Sequence, residues 1–101
     1  MKVVFLPEAR HDLLKISEYT SKDLQNTIAA NNIIKKILSL SDKLTSFPEI
    51  GNSLGVFDTR LNNYRYLIAG NYLIIYRVMG SEIQITRLLY ARSNYMQLLG
   101  F

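Results

Sequence analysis

The chain has 101 residues, 49% of them hydrophobic and 20% charged, no cysteine, one histidine and a formal net charge of +4. That suits one domain with a single modest core, and the missing cysteines exclude a disulfide framework, a thiol nucleophile and cysteine metal ligation. No apolar run approaches the roughly 18 residues of a membrane span, and MKVVFLPEAR is too briefly apolar before its proline for a secretory signal, so a cytoplasmic location is expected.

Lys2 to Leu6 is a β-branched run and reads as a strand; Pro7 stops it and suits the first position of a helix. Glu8 and Asp12 follow near the positive end of that helix, where its dipole favours carboxylates. Ala9, Leu13 and Ile16 form an apolar stripe through about Tyr19, and His11 falls off it. With no second histidine and no cysteine, His11 reads as a surface residue.

Thr20-Ser21-Lys22-Asp23 fits a capping box and should open a second helix. Ala30, Ile33, Ile37, Leu40, Leu44 and Phe47 then make a continuous stripe, widened by Ile34 and Leu38. The two helices are expected to form an αα-hairpin over one face of a sheet. Ser46-Phe47-Pro48 ends the second helix, because the residue before a proline avoids helical angles. Asn52 to Thr59 reads as a loop.

From Tyr64 to Tyr95 three apolar runs are divided by Gly70-Asn71 and Gly80-Ser81, the pattern of a three-stranded antiparallel meander. With both turns of two residues and glycine first, Arg77 falls opposite Tyr64 on one side and Gln84 on the other. One face then collects Tyr64, Tyr66, Leu73, Ile75, Arg77, Gln84, Thr86, Leu88 and Tyr90. The other collects Leu67, Tyr72, Ile74, Tyr76, Val78, Ile83, Ile85 and Leu89, with Arg65 and Arg87 among them. The second face is the more apolar and should lie under the helices, its arginines reaching out at the edges. A one-residue slip would exchange these sets.

The tail from Ser93 to Phe101 suggests a short helix begun by Ser93 or Asn94. Its Leu98, Leu99 and Phe101 either dock on the domain's own core or form a patch that a partner covers. The element order is β-α-α-β-β-β, an α+β domain over residues 1–101.

Charge is unevenly spread along the chain. Residues 1–58 hold seven Lys/Arg and seven Asp/Glu, whereas residues 59–101 hold Arg60, Arg65, Arg77, Arg87 and Arg92 against Glu82 alone. An all-arginine excess suits bidentate recognition of phosphate or carboxylate, or merely a solvated sheet.

Several segments together carry a family likeness. They are the strand leading into a helix with Ala9 and Asp12-Leu13, the Phe47-Pro48-x-x-Gly51 link, and Tyr64-Arg65 before the first turn. The strand Asn71-Tyr72-Leu73-Ile74-Ile75-Tyr76-Arg77-Val78 and the closing Arg87-Leu88-Leu89-Tyr90-x-Arg92 complete the set. In this order they resemble the RelE/ParE superfamily of bacterial toxins from type II toxin–antitoxin modules. The resemblance implies the β-α-α-β-β-β fold and a small, acidic cognate antitoxin that silences the toxin, with no metal or organic cofactor.

Two mechanisms are implied by the superfamily. RelE-like members cut ribosome-bound mRNA, and on that reading Arg77, Tyr90 and Arg92 would be catalytic. Those members commonly place an arginine where this chain has Leu73, and related toxins often place a histidine where it has Tyr90. ParE-like members poison DNA gyrase and cleave nothing themselves, and the strand around Leu73 is closer to that branch. Target binding would then fall to Arg65, Arg87, Arg92 and Tyr95, and antitoxin binding to Arg65, Arg92, Leu98, Leu99 and Phe101. Gyrase poisoning is the expected activity, with mRNA cleavage or a non-toxic antitoxin partner as the alternatives.

Overall fold

The computed structural model describes residues 1–18 and 24–91, with residues 24–27 as backbone only. The expected capping box at Thr20–Asp23 and the tail from Arg92 onward, including Tyr95, Leu98, Leu99 and Phe101, lie outside the described residues. Strand β1 (Lys2–Phe5) leads into helix α1 (Pro7–Glu18) and then helix α2 (Leu24–Lys43). A two-residue strand β2 (Asn52–Ser53) and two 3-10 turns (Leu54–Val56, Thr59–Leu61) follow, where the sequence suggested only a loop. Strands β3 (Tyr64–Ala69), β4 (Tyr72–Met79) and β5 (Glu82–Tyr90) then form the meander.

The five strands make one mixed sheet in the order β1-β5-β4-β3-β2. β1 runs parallel to the first half of β5, from Lys2 opposite Glu82 to Phe5 opposite Ile85. Both meander turns have two residues, closing Ala69 onto Tyr72 and Met79 onto Glu82. Gly70 and Gly80 take φ of 59° and 63°, the left-handed region where a Cβ is penalised. Tyr64, Arg77 and Gln84 stand side by side across the sheet, as the turn lengths predicted.

Beyond that row the register departs from expectation. Ile75 faces Arg87 while Tyr76 faces Ile85, so Thr86 is an extra residue on β5, a β-bulge. Its hydroxyl donates to the Ile75 carbonyl at 3.1 Å. Because side chains alternate, the extra residue exchanges the faces of everything after it. Leu88 therefore joins the core beneath the helices and Leu89 the opposite cluster, the reverse of the even-register assignment. Tyr90 follows Leu88, and Arg87 comes to stand opposite Ile75.

The sheet is apolar on both sides. Beneath the helices lie Ala9, Ile16, Ile37, Leu44, Ala69, Ile74, Tyr76, Ile83, Ile85 and Leu88. On the outer side the 3-10 segment lays Leu54 and Leu61 over Leu73, Ile75 and Leu89, with Tyr64 and Tyr66 at the margin. Burial on both faces explains why β4 reads as a continuous apolar run. Only the end of the outer face that holds Arg77, Gln84 and Thr86 stays polar.

Helix α2 ends at Lys43, where i→i−3 bonds from Leu44 to Ser41, Thr45 to Asp42 and Ser46 to Lys43 tighten the last turn. Leu44 still enters the core. Phe47, expected to extend the stripe, is 61% exposed because the helix has already stopped, and Leu38 is 46% exposed on the outer side. In helix α1 the surprise is Asp12, buried at 7% exposure among Ala9 and Ile16.

Candidate functional site

Asp12 explains the conduct of Arg87. Positions 9, 12, 13 and 16 share one helical face, so Asp12 points at β5 with the apolar residues rather than at solvent. Its Oδ2 accepts from Arg87 Nε at 2.8 Å and from the Leu88 backbone N–H at 2.9 Å, and its Oδ1 accepts from Arg87 Nη2 at 3.1 Å. A buried carboxylate is tolerated only when paired and hydrogen-bonded in this way. The same hydrogen bond to Asp12 is the main cause raising the Arg87 pKa above its ordinary value. Glu8, one turn earlier, lies 3.6 Å from Arg87 Nη1 with its side chain 78% exposed.

Tyr76 is wholly buried and fastens the α2–β2 link. Its hydroxyl donates to the Pro48 carbonyl at 2.9 Å and accepts from the Gly51 N–H at 2.9 Å. Gly51 has no room for a side chain: a Cβ there would lie 2.5 Å from Tyr76 Oη and 2.8 Å from the Tyr66 carbonyl oxygen. Arg65 completes the junction, donating through Nη1 to the carbonyls of Gly51 at 2.8 Å and Glu49 at 3.4 Å. Burial pushes the Tyr76 phenol above 10.0, against the opposing effect of the Gly51 hydrogen bond.

Arg77, the next residue, emerges on the outer face. Its Nε donates to Gln84 Oε1 at 3.0 Å and its Nη1 to the Tyr64 hydroxyl at 3.3 Å, with the guanidinium carbon 5.8 Å from the Tyr64 ring centre. Gln84 is itself oriented by donating to Glu82 Oε1 at 3.1 Å. Among the described residues no carboxylate lies within salt-bridge distance of Arg77. It borders a cleft of ≈ 350 Å³ shared with Leu6, Pro7, Glu8, Tyr64, Thr86 and Arg87.

Tyr90 stands elsewhere. It pairs with Tyr72, the rings edge to face at 5.7 Å between centroids, on the helix side of the sheet. Tyr72 and Arg77 lie on opposite faces and about 16 Å apart along β4, at about 3.3 Å per residue. The structure thus brings together Arg77 and Arg87 at one cleft but places Tyr90 apart from Arg77. Arg65 is held at the link on the helix side. Leu73, the position where an mRNA-cleaving relative would present arginine, is packed in the outer apolar cluster at 8% exposure. Among the described residues no group of three His, Cys, Asp or Glu side chains is placed to hold a metal ion, and no described helix is long and apolar enough to cross a membrane.

Residues 3–95 match the family model for the ParE toxin of the type II toxin–antitoxin system parDE. The chain belongs to the ParE toxin family. No curated protein matches its sequence. The fold is similar to that of a chain from the chromosomal ParDE toxin–antitoxin system of P. aeruginosa, with a TM-score of 0.73 and 21% identity, covering 91% of this chain and 97% of that one. Family membership makes the protein the toxin component of such a module, with a cognate antitoxin as its partner.

The charge map of this ParE-family toxin differs in space from its map along the chain. Arg60 binds Asp58, whose carboxyl is held at about 2 chiefly by that side-chain hydrogen bond and next by the Arg60 backbone N–H. Arg87 binds Asp12, and Arg65 binds backbone carbonyls. Acidic residues from the neutral half thus fold back onto the basic half. Of the four described arginines beyond residue 58, Arg77 combines an outward position with partners that are neutral side chains, the Gln84 amide and the Tyr64 hydroxyl. The composition of the sequence signalled the arginines; only contacts could sort them.

Proposed function

We propose that this toxin acts by binding, as a poison of DNA gyrase, and that it cuts no RNA itself. The observation that carries this reading is the separation of Arg77 from Tyr90 by the β5 bulge. RNA cleavage through the 2′-hydroxyl needs a base, an acid and cations converging on one phosphate. Two groups on opposite sides of a sheet cannot meet there. The buried Leu73 supports the same reading, since it presents an apolar side chain where the cleaving branch needs charge. Target contacts fall to the outward basic surface, Arg77 with Arg87 at its border, and to Arg92 and Tyr95. A small acidic antitoxin, contacting Arg65, Arg92, Leu98, Leu99 and Phe101, is the proposed silencing partner.

The test is to incubate the purified toxin with gyrase, ATP and supercoiled plasmid, then add detergent and protease. Linear DNA released only after that treatment is the expected result, alongside intact messages in cells minutes after induction. Unperturbed gyrase together with new RNA 5′ ends inside translated frames would replace this reading with ribosome-dependent cleavage.

A further inference from the structure

Arg77 is a partly buried cation held by neutral partners. A guanidinium has five N–H donors; two are used, on Gln84 and Tyr64, and both acceptors are uncharged. The Tyr64 hydroxyl, having accepted from Arg77, keeps its own hydrogen to donate. Arg87, oriented by Asp12, borders the same cleft, while the Thr86 hydroxyl already spends its hydrogen on Ile75. The unspent capacity of the cleft, on Arg77 and the Tyr64 hydroxyl, is therefore donor-rich, with the Arg77 charge behind it. That is the complement of an acceptor-only anion.

We propose that this cleft binds one phosphate group of a nucleic-acid backbone. The proposal deepens the gyrase reading and rests on it for the source of that phosphate, the DNA that gyrase holds. A tetrahedral phosphate directs non-bridging oxygens two ways and can face Arg77 and Arg87 together. The planar carboxylate already present, that of Glu8, reaches only the rim and only Arg87. Leu6 and Pro7 give an apolar wall for the flanking sugar. A second cleft of ≈ 370 Å³ adjoins through Pro7, Glu8 and Arg87 and adds His11 and Lys15, so a strand leaving the first meets another cation. Contacts of this kind fix position and read no sequence. Glu8 opposes the ligand, and its exposed side chain is free to swing out.

The experiment uses the full-length toxin, a labelled short DNA duplex and inorganic phosphate, all at one ionic strength. Expected are a shift of the Arg77 Nε–H resonance on adding duplex, and displacement of duplex by phosphate but not by chloride. Arg77→Gln should weaken duplex binding by roughly 10-fold, about the worth of one charge-assisted contact. Arg77→Lys should recover only part of that. Glu8→Gln, which keeps the size of a side chain that is 78% exposed, should tighten binding about 3-fold by removing a like charge. Wild-type affinity in both Arg77→Gln and Glu8→Gln would overturn the proposal, as would an acidic peptide shifting Arg77 where phosphate does not. If Arg77→Gln still poisons gyrase fully, the phosphate site fails and the gyrase reading stands. If the wild type binds duplex through Arg77 yet leaves gyrase untouched, the gyrase reading fails and the site stands.

Discussion

Tyr76 and Arg77 are neighbours on β4 and show two opposite uses of a polar side chain. Tyr76 points under the helices, where its hydroxyl has both a donor and an acceptor partner and no water reaches it. Arg77 points outward, held in place by neutral groups with its charge unanswered. The first arrangement is closed, and any change there should be felt by the whole fold. The second is open, and a change should be felt by a ligand. Hydrogen bonds alone do not tell the two apart, since each residue makes two; what differs is whether any capacity is left over.

The sharpest way to break the closed side is Gly51→Ala. Its Cβ would press on the Tyr76 ring and hydroxyl and on the Tyr66 carbonyl, and neither the buried ring nor the β3 backbone can retreat. We expect a loss of about 3 kcal/mol, read as a lowered urea midpoint with an unchanged slope. Wild-type stability would mean that the link is looser than its contacts imply. Asp12→Ala follows at about 2–3 kcal/mol, because it removes the carboxylate that accepts from both the Arg87 guanidinium and the buried Leu88 N–H. It also sharpens the comparison by moving Arg87 from the closed class toward the open one.

Much of this was legible in the chain. The element order, both hairpin turns and the Tyr64–Arg77–Gln84 row follow from glycine placement and alternation, which are local. The Phe47-Pro48-x-x-Gly51 link and Tyr76 appeared as separate pieces of a family pattern, and only the fold shows that they are one hydrogen-bonded junction. The bulge at Thr86 was invisible, because Thr-Arg-Leu-Leu carries no glycine or proline to mark an extra residue. Its consequence was large, since it removed Tyr90 from the side of Arg77. The role of Asp12 was hidden for a different reason: its place near the helix start accounted for its charge, and only the fold sets Arg87 opposite it.

Tyr76→Phe should cost about 1–2 kcal/mol at neutral pH by leaving the Gly51 N–H and the Pro48 carbonyl unpaired. Its pH dependence is more telling. The folded phenol lies above the ordinary 10.0, so between that value and its folded pKa the native state binds more protons than the unfolded chain. Its contribution is complete below pH 10.0 and is lost as pH rises through that window. The gap in urea midpoint between wild type and Tyr76→Phe should therefore be constant up to about that pH and narrow beyond it. A gap that widened instead would mean the phenolate is the form the fold prefers.

Arg77→Gln should have the smallest effect on stability, under about 0.5 kcal/mol, in keeping with a substitution that breaks no buried network. The glutamine keeps a polar group on the outer face, and Gln84 and Tyr64 are exposed enough to turn to water. The midpoint in urea should stay near wild type while toxicity falls. That dissociation is what separates an open side chain from a closed one. A variant that lost stability in proportion to toxicity would place Arg77 with Tyr76, as part of the frame, and would leave the cleft without its principal cation for a reason unrelated to binding.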